Sequence, residues 1–249
     1  DVYVQKQVLT ETSGASYAST LANALQRLQG IYGDPSSDTT LEAAFNQLTA
    51  ALQALSTTSD SPAARTTAVN AAQSLAQMLN SASAGIQSLR ADAESSIKSS
   101  VDAANNAMKQ IATINNQLLG TTGDDAAAAS LLDQRDQYVA QLSQLMDIRV
   151  ITNDRNQVTV FTNSGVQLVG SEAATISFDA QGTVTPNTTW SSDPSKSTLG
   201  TLTLTFPHGG DIDLIATNSI RSGSIAANLQ LRDQTLVQAQ AQIDQLAAS

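Results

Sequence analysis

Apolar residues recur every three or four positions over most of the first 147 residues, which is the spacing of an amphipathic helix. Between positions 63 and 118 there is no proline and one glycine, Gly85, so a single long helix is predicted. Its apolar seam advances by roughly 3.6 residues per step. The seam consists of Ile86, Leu89, Ala93, Ile97, Val101, Ala104, Met108, Ile111, Ile114 and Leu118. Such a helix would extend for about 85 Å at 1.5 Å per residue, so an elongated rod is expected.

Two shorter helices are predicted before the long one, at 1–29 and at about 41–55. Thr39 and Glu42 have the spacing of a capping box at the start of the second helix. Ser61 and Pro62 fit the N-cap and first position of the long helix. The buried face of the first helix would carry Val4, Val8, Leu21, Leu25 and Leu28, and that of the second Leu41, Phe45, Leu48, Leu52 and Leu55.

A fourth amphipathic helix is predicted at 126–147, after a turn at 120–125 in which Asp124 or Asp125 would cap it. Arg135 lies on its apolar stripe, where Asp133 and Asp136 are close enough to pair with a guanidinium partly withdrawn from water. An anion-binding role for Arg135 is the alternative, and a structural role is favoured. The stripe consists of Leu131, Leu132, Tyr138, Val139, Leu142, Leu145 and Met146.

After residue 147 the pattern changes to the period of two that is typical of strands. Segments 149–152 and 157–161 predict a hairpin around 153–156. Further strands are predicted at 166–169, 174–178, 183–185, 198–206 and 211–215, with turns at 179–182 and 207–210. Short connections favour antiparallel pairing.

A helical pattern returns at about residue 224, with Arg232 on its seam. Arg232, Asp233 and Gln234 repeat the order of Arg135, Asp136 and Gln137, although chance suffices to explain three residues. The apolar positions of the return helix are Ile225, Leu229, Leu236, Ile243 and Leu246.

These patterns predict a mainly α fold with a β-rich insertion, of the α+β class. Residues 1–148 and 223–249 would form an elongated rod of long antiparallel helices, and residues 149–222 a small antiparallel β domain inserted before the return helix.

Composition narrows the classes of function. The chain has 22 acidic and 12 basic residues, a net charge of −10, which argues against binding to nucleic acid and to anionic membranes. No apolar run reaches the roughly 18 residues of a membrane span, so no membrane insertion is expected. Cysteine is absent, which excludes disulfides. The chain begins with Asp1 and without a signal-peptide pattern, so we interpret it as a fragment.

Candidate catalytic and metal-binding residues are few. His208 is the only histidine, and no serine near it has the pattern of a nucleophile. Asp124 with Asp125, and Asp211 with Asp213, lack the spacing of a calcium loop. The residues at 187–189 match a glycosylation sequon, a triplet that often arises by chance. We therefore expect no catalytic, cofactor-binding or metal-binding residues, no cofactor and no enzymatic activity.

Several motifs resemble those of one known family. The motif Leu131-Leu132-Asp133-Gln134-Arg135-Asp136, followed by Leu142-Ser143, resembles the L-L-D-x-R-D…L-S signature of the first hook-associated protein of bacterial flagella. Residues 60–65, 111–115, 158–161 and 168–170 resemble further motifs of this family in the same order. Ser222-Gly223 with 229–233 resembles its return helix, which adds Arg232 and Asp233 to the motif residues. Residues 171–216 match nothing in the family pattern.

The resemblance implies a non-enzymatic structural subunit that joins the flagellar hook to the filament and lies outside the cell after export without a cleaved signal. Its implied partners are copies of itself in a ring at the hook end, the hook protein, and the second junction protein or filament. An export chaperone would act on a C-terminal segment absent from this chain. Flagellin or another axial protein is a close alternative. An extracytoplasmic helical sensor domain that binds a small ligand is an alternative from another class.

Overall fold

The structure, a computed structural model, describes residues 2–33, 37, 39–120 and 126–248. Its helices are α1 (Val2–Tyr32), α2 (Leu41–Thr57), α3 (Pro62–Leu118), α4 (Ala126–Leu145), α5 (Gly223–Gln230) and α6 (Leu236–Ala248), with a π-helical turn at Leu231–Thr235 between the last two. Its strands are β1 (Ile148–Thr152), β2 (Val158–Thr162), β3 (Gln167–Val169), β4 (Thr175–Phe178), β5 (Leu202–Thr205) and β6 (Asp211–Asp213). The predicted α+β class, with long helices and short strands, is confirmed.

The long helix α3 is the element on which the rest of the chain packs. It runs unbroken through 57 residues, and every position of its predicted seam is buried. Ser61 caps its first turn, because the Ser61 hydroxyl accepts a hydrogen bond from the amide of Ala64 at 3.3 Å. The long-helix prediction and its N-cap are both confirmed.

Two large hydrophobic cores take up most of α3, and a small third cluster lies around Ile114 and Leu118 at its C-terminal end. Its first half packs with α1, α2 and α6 around residues such as Ile86 and Ile243. Its second half packs with α4, α5 and the strands around residues such as Ile111, Leu142 and Leu204. The strands therefore lie against the same helix that holds the bundle together, and they share a core with it.

The strands form two antiparallel three-stranded sheets, in the orders β1-β2-β3 and β4-β5-β6. The predicted hairpin at 153–156 is confirmed, with Thr152 opposite Val158. The predicted strand at 183–185 is wrong, since β4 pairs with β5 and residues 179–200 between them have no regular structure. The carbonyl of Thr185 accepts a hydrogen bond from a helix side chain, so it is not available for a strand ladder.

The buried faces of α1 and α2 differ from the predicted ones. Val4, Val8 and Leu25 are exposed, Leu28 is buried as predicted, and α1 also buries Leu9 and Ser13. In α2 the predicted Phe45 and Leu52 are exposed, whereas the predicted Leu41 is buried together with Ala44 and Ala51. Two of the three buried residues of α2 are alanines, and its larger side chains Phe45 and Leu52 face outward.

The start of α2 corrects another expectation. The N-cap is Thr40, whose hydroxyl accepts a hydrogen bond from the amide of Ala43 at 3.0 Å, so the capping box of Thr39 and Glu42 is wrong by one residue. The proposed caps Asp124 and Asp125, and most of the turn at 120–125, lie outside the described residues. Helix α4 ends at Leu145, two residues before the predicted end, and Asp147 is buried beyond it.

Candidate functional site: two arginine clamps between helices and sheets

The guanidinium of Arg135 joins α4 to the β1–β2 hairpin. Its Nε and Nη2 donate to Asp136 Oδ1 at 3.1 and 2.8 Å, and its Nη1 donates to the carbonyl of Asn156 at 2.6 Å. Arg135 is buried, while the Asp136 side chain is 53% exposed. Asp133 is exposed and forms no described bond to Arg135, so only Asp136 fulfils the predicted pairing.

The guanidinium of Arg232 joins the return helix to the second sheet in the same manner. Its Nε and Nη2 donate to Asp233 Oδ1 and Oδ2 at 2.6 and 2.9 Å, and its Nη1 donates to the carbonyl of Gly200 at 3.2 Å. Glu94 Oε2 on α3 lies 3.5 Å from the same Nη1. The ring of Phe178 lies 5.5 Å from the guanidinium carbon, within the range of a cation–π contact.

The repeat of Arg-Asp-Gln in the sequence thus corresponds to two similar contacts. We name the contact made by Arg135 the first clamp and the contact made by Arg232 the second clamp. In each clamp an arginine pairs with the aspartate that follows it, and its free nitrogen binds a backbone carbonyl next to a sheet. The clamps differ in the exposure of their counter-charges. Asp233 is 10% exposed and Glu94 6%, whereas Asp136 is half-exposed. The second clamp is therefore far less accessible to solvent screening.

A π-helical turn at Leu231–Thr235 directs Arg232 of the second clamp into the core. Leu231 and Leu236 are both buried although they are five residues apart, a spacing that an α-helix would put on different faces. The wider π turn brings both inward, together with the fully buried Arg232. The pattern of apolar residues did not predict this turn.

Two further charged residues on α3, which the sequence patterns did not single out, complete the second clamp. Arg90 donates to the carbonyls of Arg232, Thr185 and Thr188 at 3.1, 2.9 and 2.6 Å. Glu94 Oε1 accepts from the amide of Gln181 at 2.6 Å. We name Arg90, Glu94, Arg232 and Asp233 the four-charge cluster.

Burial is the largest cause of the pKa shifts at two residues of the four-charge cluster, Asp233 and Arg90. It raises the pKa of the Asp233 carboxyl, against the hydrogen bond from Arg232 that lowers it. It also lowers the pKa of the Arg90 guanidinium, although Asp233 and Glu94 act in the opposite direction. At Asp233 and Arg90, removal of the charge from water is therefore only partly offset by attraction to the neighbouring charges, and buried ion pairs of this kind specify geometry more than they add stability.

Two asparagines of α3 attach the sheets to the helix. Asn105 donates to the carbonyl of Ile176 at 2.7 Å and accepts from its amide at 2.8 Å. Asn115 does the same with Val158 at 2.7 and 3.0 Å. Each side chain thus binds a strand residue as a neighbouring strand would. Asn115 ends the motif at 111–115, which was the only sequence signal for these contacts.

The remaining motif residues lie in apolar contacts. Leu142 is fully buried in the core shared with the sheets. Leu131 and Leu132 are half-buried and pack around Ile114 and Leu118. These leucines fix the orientation of α4 on α3 and thereby the position of Arg135.

The residues considered for chemistry have other surroundings. The His208 side chain is 87% exposed and lies 4.0 Å from Glu172. The Asp213 carboxylate accepts hydrogen bonds from Thr201, Ile215 and Ala216, so it caps a turn. Within the described ranges, no group of three or more histidine, cysteine or acidic residues is placed to hold a metal ion. None of the described helices is long and apolar enough to cross a membrane.

The comparison with known families covers this whole arrangement. Residues 25–249 match the family described as "Flagellar hook-associated protein FlgK helical domain", a span that includes both clamps and both sheets. The chain belongs to this family. The motifs that resembled the first hook-associated protein are thus part of a FlgK-type sequence, and the expected family is confirmed.

Individual relatives agree with this FlgK assignment. "Flagellar hook-associated protein 1" of Escherichia coli (strain K12) is 31% identical over 79% of this chain and 34% of its own length. The protein of the same name from Salmonella typhimurium (strain LT2) is 27% identical over 99% of this chain and 42% of its own length. The solved flagellar hook junction protein FlgK from Burkholderia pseudomallei is 29% identical, with a TM-score of 0.79 over 97% of this chain and 41% of that one. The chain thus spans about two fifths or less of these relatives.

Replacement of Arg135 by alanine is expected to destabilise the chain by about 1–2 kcal/mol, the usual cost of losing charge-assisted hydrogen bonds. Asp136 is half-exposed, so water can solvate the carboxylate left behind. The melting temperature should fall by roughly 2–4 °C per kcal/mol, while the mass in solution stays unchanged. Circular dichroism and light scattering measure the two quantities. A variant that melts with the wild type would show that this clamp adds nothing to stability.

Proposed function

We propose that this chain is the helical section, with its attached sheets, of a structural subunit that joins the flagellar hook to the filament. The match of residues 25–249 to the FlgK helical domain carries this proposal. The structure supports it, since a 57-residue helix with sheets fixed along one half is a scaffold that can span a distance between neighbouring assemblies. The subunit acts by holding surfaces in place, and we propose no enzymatic activity for it.

The proposed partners follow from the relatives' names and from the implied role. They are further copies of the subunit in a ring at the hook end, the hook protein, and the second junction protein or filament. An export chaperone is a further proposed partner. The proposed location is the extracellular flagellum, reached by export without a cleaved signal.

Deletion of the gene that encodes this chain, followed by electron microscopy of the cells, tests the proposal. We expect hooks without attached filaments. Restoring the full gene should restore attached filaments. A deletion strain with normal filaments would overturn the proposed function.

We also propose that residues 1–148 and 223–249 form the rod and that residues 149–222 form a β-rich unit carried on it. The clamps and the asparagine contacts join the two parts. Expression of 149–222 alone tests whether the sheets need the rod. We expect it to remain unfolded by circular dichroism, because its apolar residues pack largely on α3, α4 and α5. A cooperative melt of the isolated segment would contradict this.

The chain is expected to be a monomer at micromolar concentration. Its net charge of −10 repels free copies, and Ala-rich helix surfaces would give a contact between copies little apolar area at about 25 cal/mol per Å². Contacts of a few kcal/mol become effective only when many subunits are held together in a ring. Light scattering should give a mass near 25.9 kDa. A stable dimer or ring would show that an exposed face binds a partner copy without further segments.

A further inference from the structure

Residues 179–200, which we name the strap, connect β4 to β5 and cross the helices without regular secondary structure. Four backbone groups of the strap bind helix side chains. The amide of Gln181 donates to Glu94, and the carbonyls of Thr185, Thr188 and Gly200 accept from Arg90 or Arg232. Among the described residues, every hydrogen bond from the strap to a helix therefore ends on the four-charge cluster.

Apolar contacts hold the strap only weakly. Val184 and Leu199 are its buried apolar residues, at 8% and 4% exposure, and neither belongs to the hydrophobic cores built on α3. Trp190, the only tryptophan in the sequence, is half-buried. The strap thus lacks the interlocked apolar side chains that make helices and sheets unfold together.

Open space adjoins the strap at Trp190. A cavity of about 430 Å³ lies where this ring meets α1 and the return helix, with Tyr17 and Asp233 in its wall. A second cavity of about 280 Å³ lies on the strap side, lined by Trp190, Leu199 and Asp213. Both are clefts open to solvent, so the strap is only partly packed against its surroundings at Trp190.

The four-charge cluster orients the strap, but separating the strap from it costs little net free energy. Its two cations and two anions balance, but burial opposes ionisation at Asp233 and Arg90. When the strap lifts, water reaches these charges and offsets the lost contacts. The cluster also remains tied to the helices, since Arg90 still donates to the carbonyl of Arg232 and to Gln87.

We propose that the strap is a latch: it detaches from the helices as a unit while the helices stay folded. The four-charge cluster provides the hydrogen bonds that hold it in the closed state. In the closed state the cluster binds four backbone groups of the strap and aligns the second sheet on α3. In the open state the two cavities merge beside Trp190, and the strap carbonyls are free to pair with another chain. The first clamp at Arg135 has no such segment, so the two sheets differ in how firmly they are attached.

The test compares the same substitution at the two clamps in the full chain. Arg90→Lys keeps the charge but loses the planar fork that reaches both Thr185 and Thr188, whereas Arg135→Lys makes the equivalent change beside the other sheet. Lys196 is the only trypsin site in the strap, and Trp190 is its fluorophore. We expect Arg90→Lys to raise the rate of trypsin cleavage after Lys196 by about tenfold. It should also raise the acrylamide quenching of Trp190 by about twofold. Helical circular dichroism should stay unchanged in both variants, and Arg135→Lys should leave strap cleavage and quenching at wild-type values.

Hydrogen exchange of the wild type gives an independent test that needs no variant. The amide of Gln181, which donates to Glu94, should exchange with an opening free energy below that of amides in the middle of α3. Cleavage after Lys196 that rises only as the helices melt would overturn the latch. So would equal effects of the two lysine variants, or strap amides that exchange together with α3.

Discussion

Replacement of Gly223 by alanine is expected to destabilise the chain by on the order of 3 kcal/mol or more. Gly223 begins α5 with a φ of +87°, a conformation that residues with a Cβ rarely adopt. A Cβ there would lie 2.5 Å from the carbonyl group of Leu145 and from the amide nitrogen of Met146. These are backbone atoms, so no side-chain rotation relieves the contact. The end of α4 and the start of α5 would have to separate.

The surroundings of this crossing leave little room for such a shift. Asp147 is buried and accepts hydrogen bonds from the amides of Arg221 and Ser222 at 2.8 and 3.2 Å. A displaced α5 would strain these bonds and the packing of Ile225 in the shared core. Because α4 and α5 flank the sheets, the loss should be global and should lower the urea midpoint measured by circular dichroism.

Gly14→Ala is the matched control. Gly14 lies inside α1, and a Cβ at this position would meet no atom within 4 Å. Alanine has the higher helix propensity, so this variant should be more stable by up to about 1 kcal/mol. If Gly223→Ala were as stable as the wild type, α4 and α5 would not approach as closely as the structure has them.

The sequence predicted the long helix well, because one physical signal determines it. A helix that buries one continuous stripe must place apolar residues at the helical period, and α3 does so from Ile86 to Leu118. The same signal was only partly right for α1 and α2, since Leu28 and Leu41 are buried as predicted but most of the other predicted positions are not. They pack through Ser13, Ala44 and Ala51, and such small residues have too little hydrophobic contrast to mark a face.

The burial of the four-charge cluster could not be predicted from local sequence patterns. Arg90 and Glu94 are four residues apart on a helix, a spacing typical of exposed ion pairs. They are buried because the strap, about ninety residues later in the chain, crosses them. No periodicity encodes a contact of that separation. The motif residues Arg232 and Asp233 were recognisable from the family resemblance, but their partners on α3 were not.

Replacement of Arg232 by alanine is expected to cost about 3–5 kcal/mol, well above the loss at Arg135. The two arginines pair with their neighbours alike, so their side-chain hydrogen bonds to aspartate do not explain the difference. Arg232→Ala leaves Glu94 and Asp233 buried with only Arg90 as counter-charge, whereas Arg135→Ala exposes Asp136 to water. Urea unfolding of both variants, followed by circular dichroism, measures the two losses.

A second substitution tests whether the unpaired carboxylates are the cause. Addition of Glu94→Gln to Arg232→Ala removes a buried charge that has lost its partner, so the double variant should recover part of the lost stability. In the wild-type background Glu94→Gln should instead be destabilising, because it unbalances the cluster. Equal losses for Arg232→Ala and Arg135→Ala, or no recovery in the double variant, would mean that burial of the counter-charges does not decide the cost. The loss at Arg232 would then come from the packing of its side chain against Phe178 and α3.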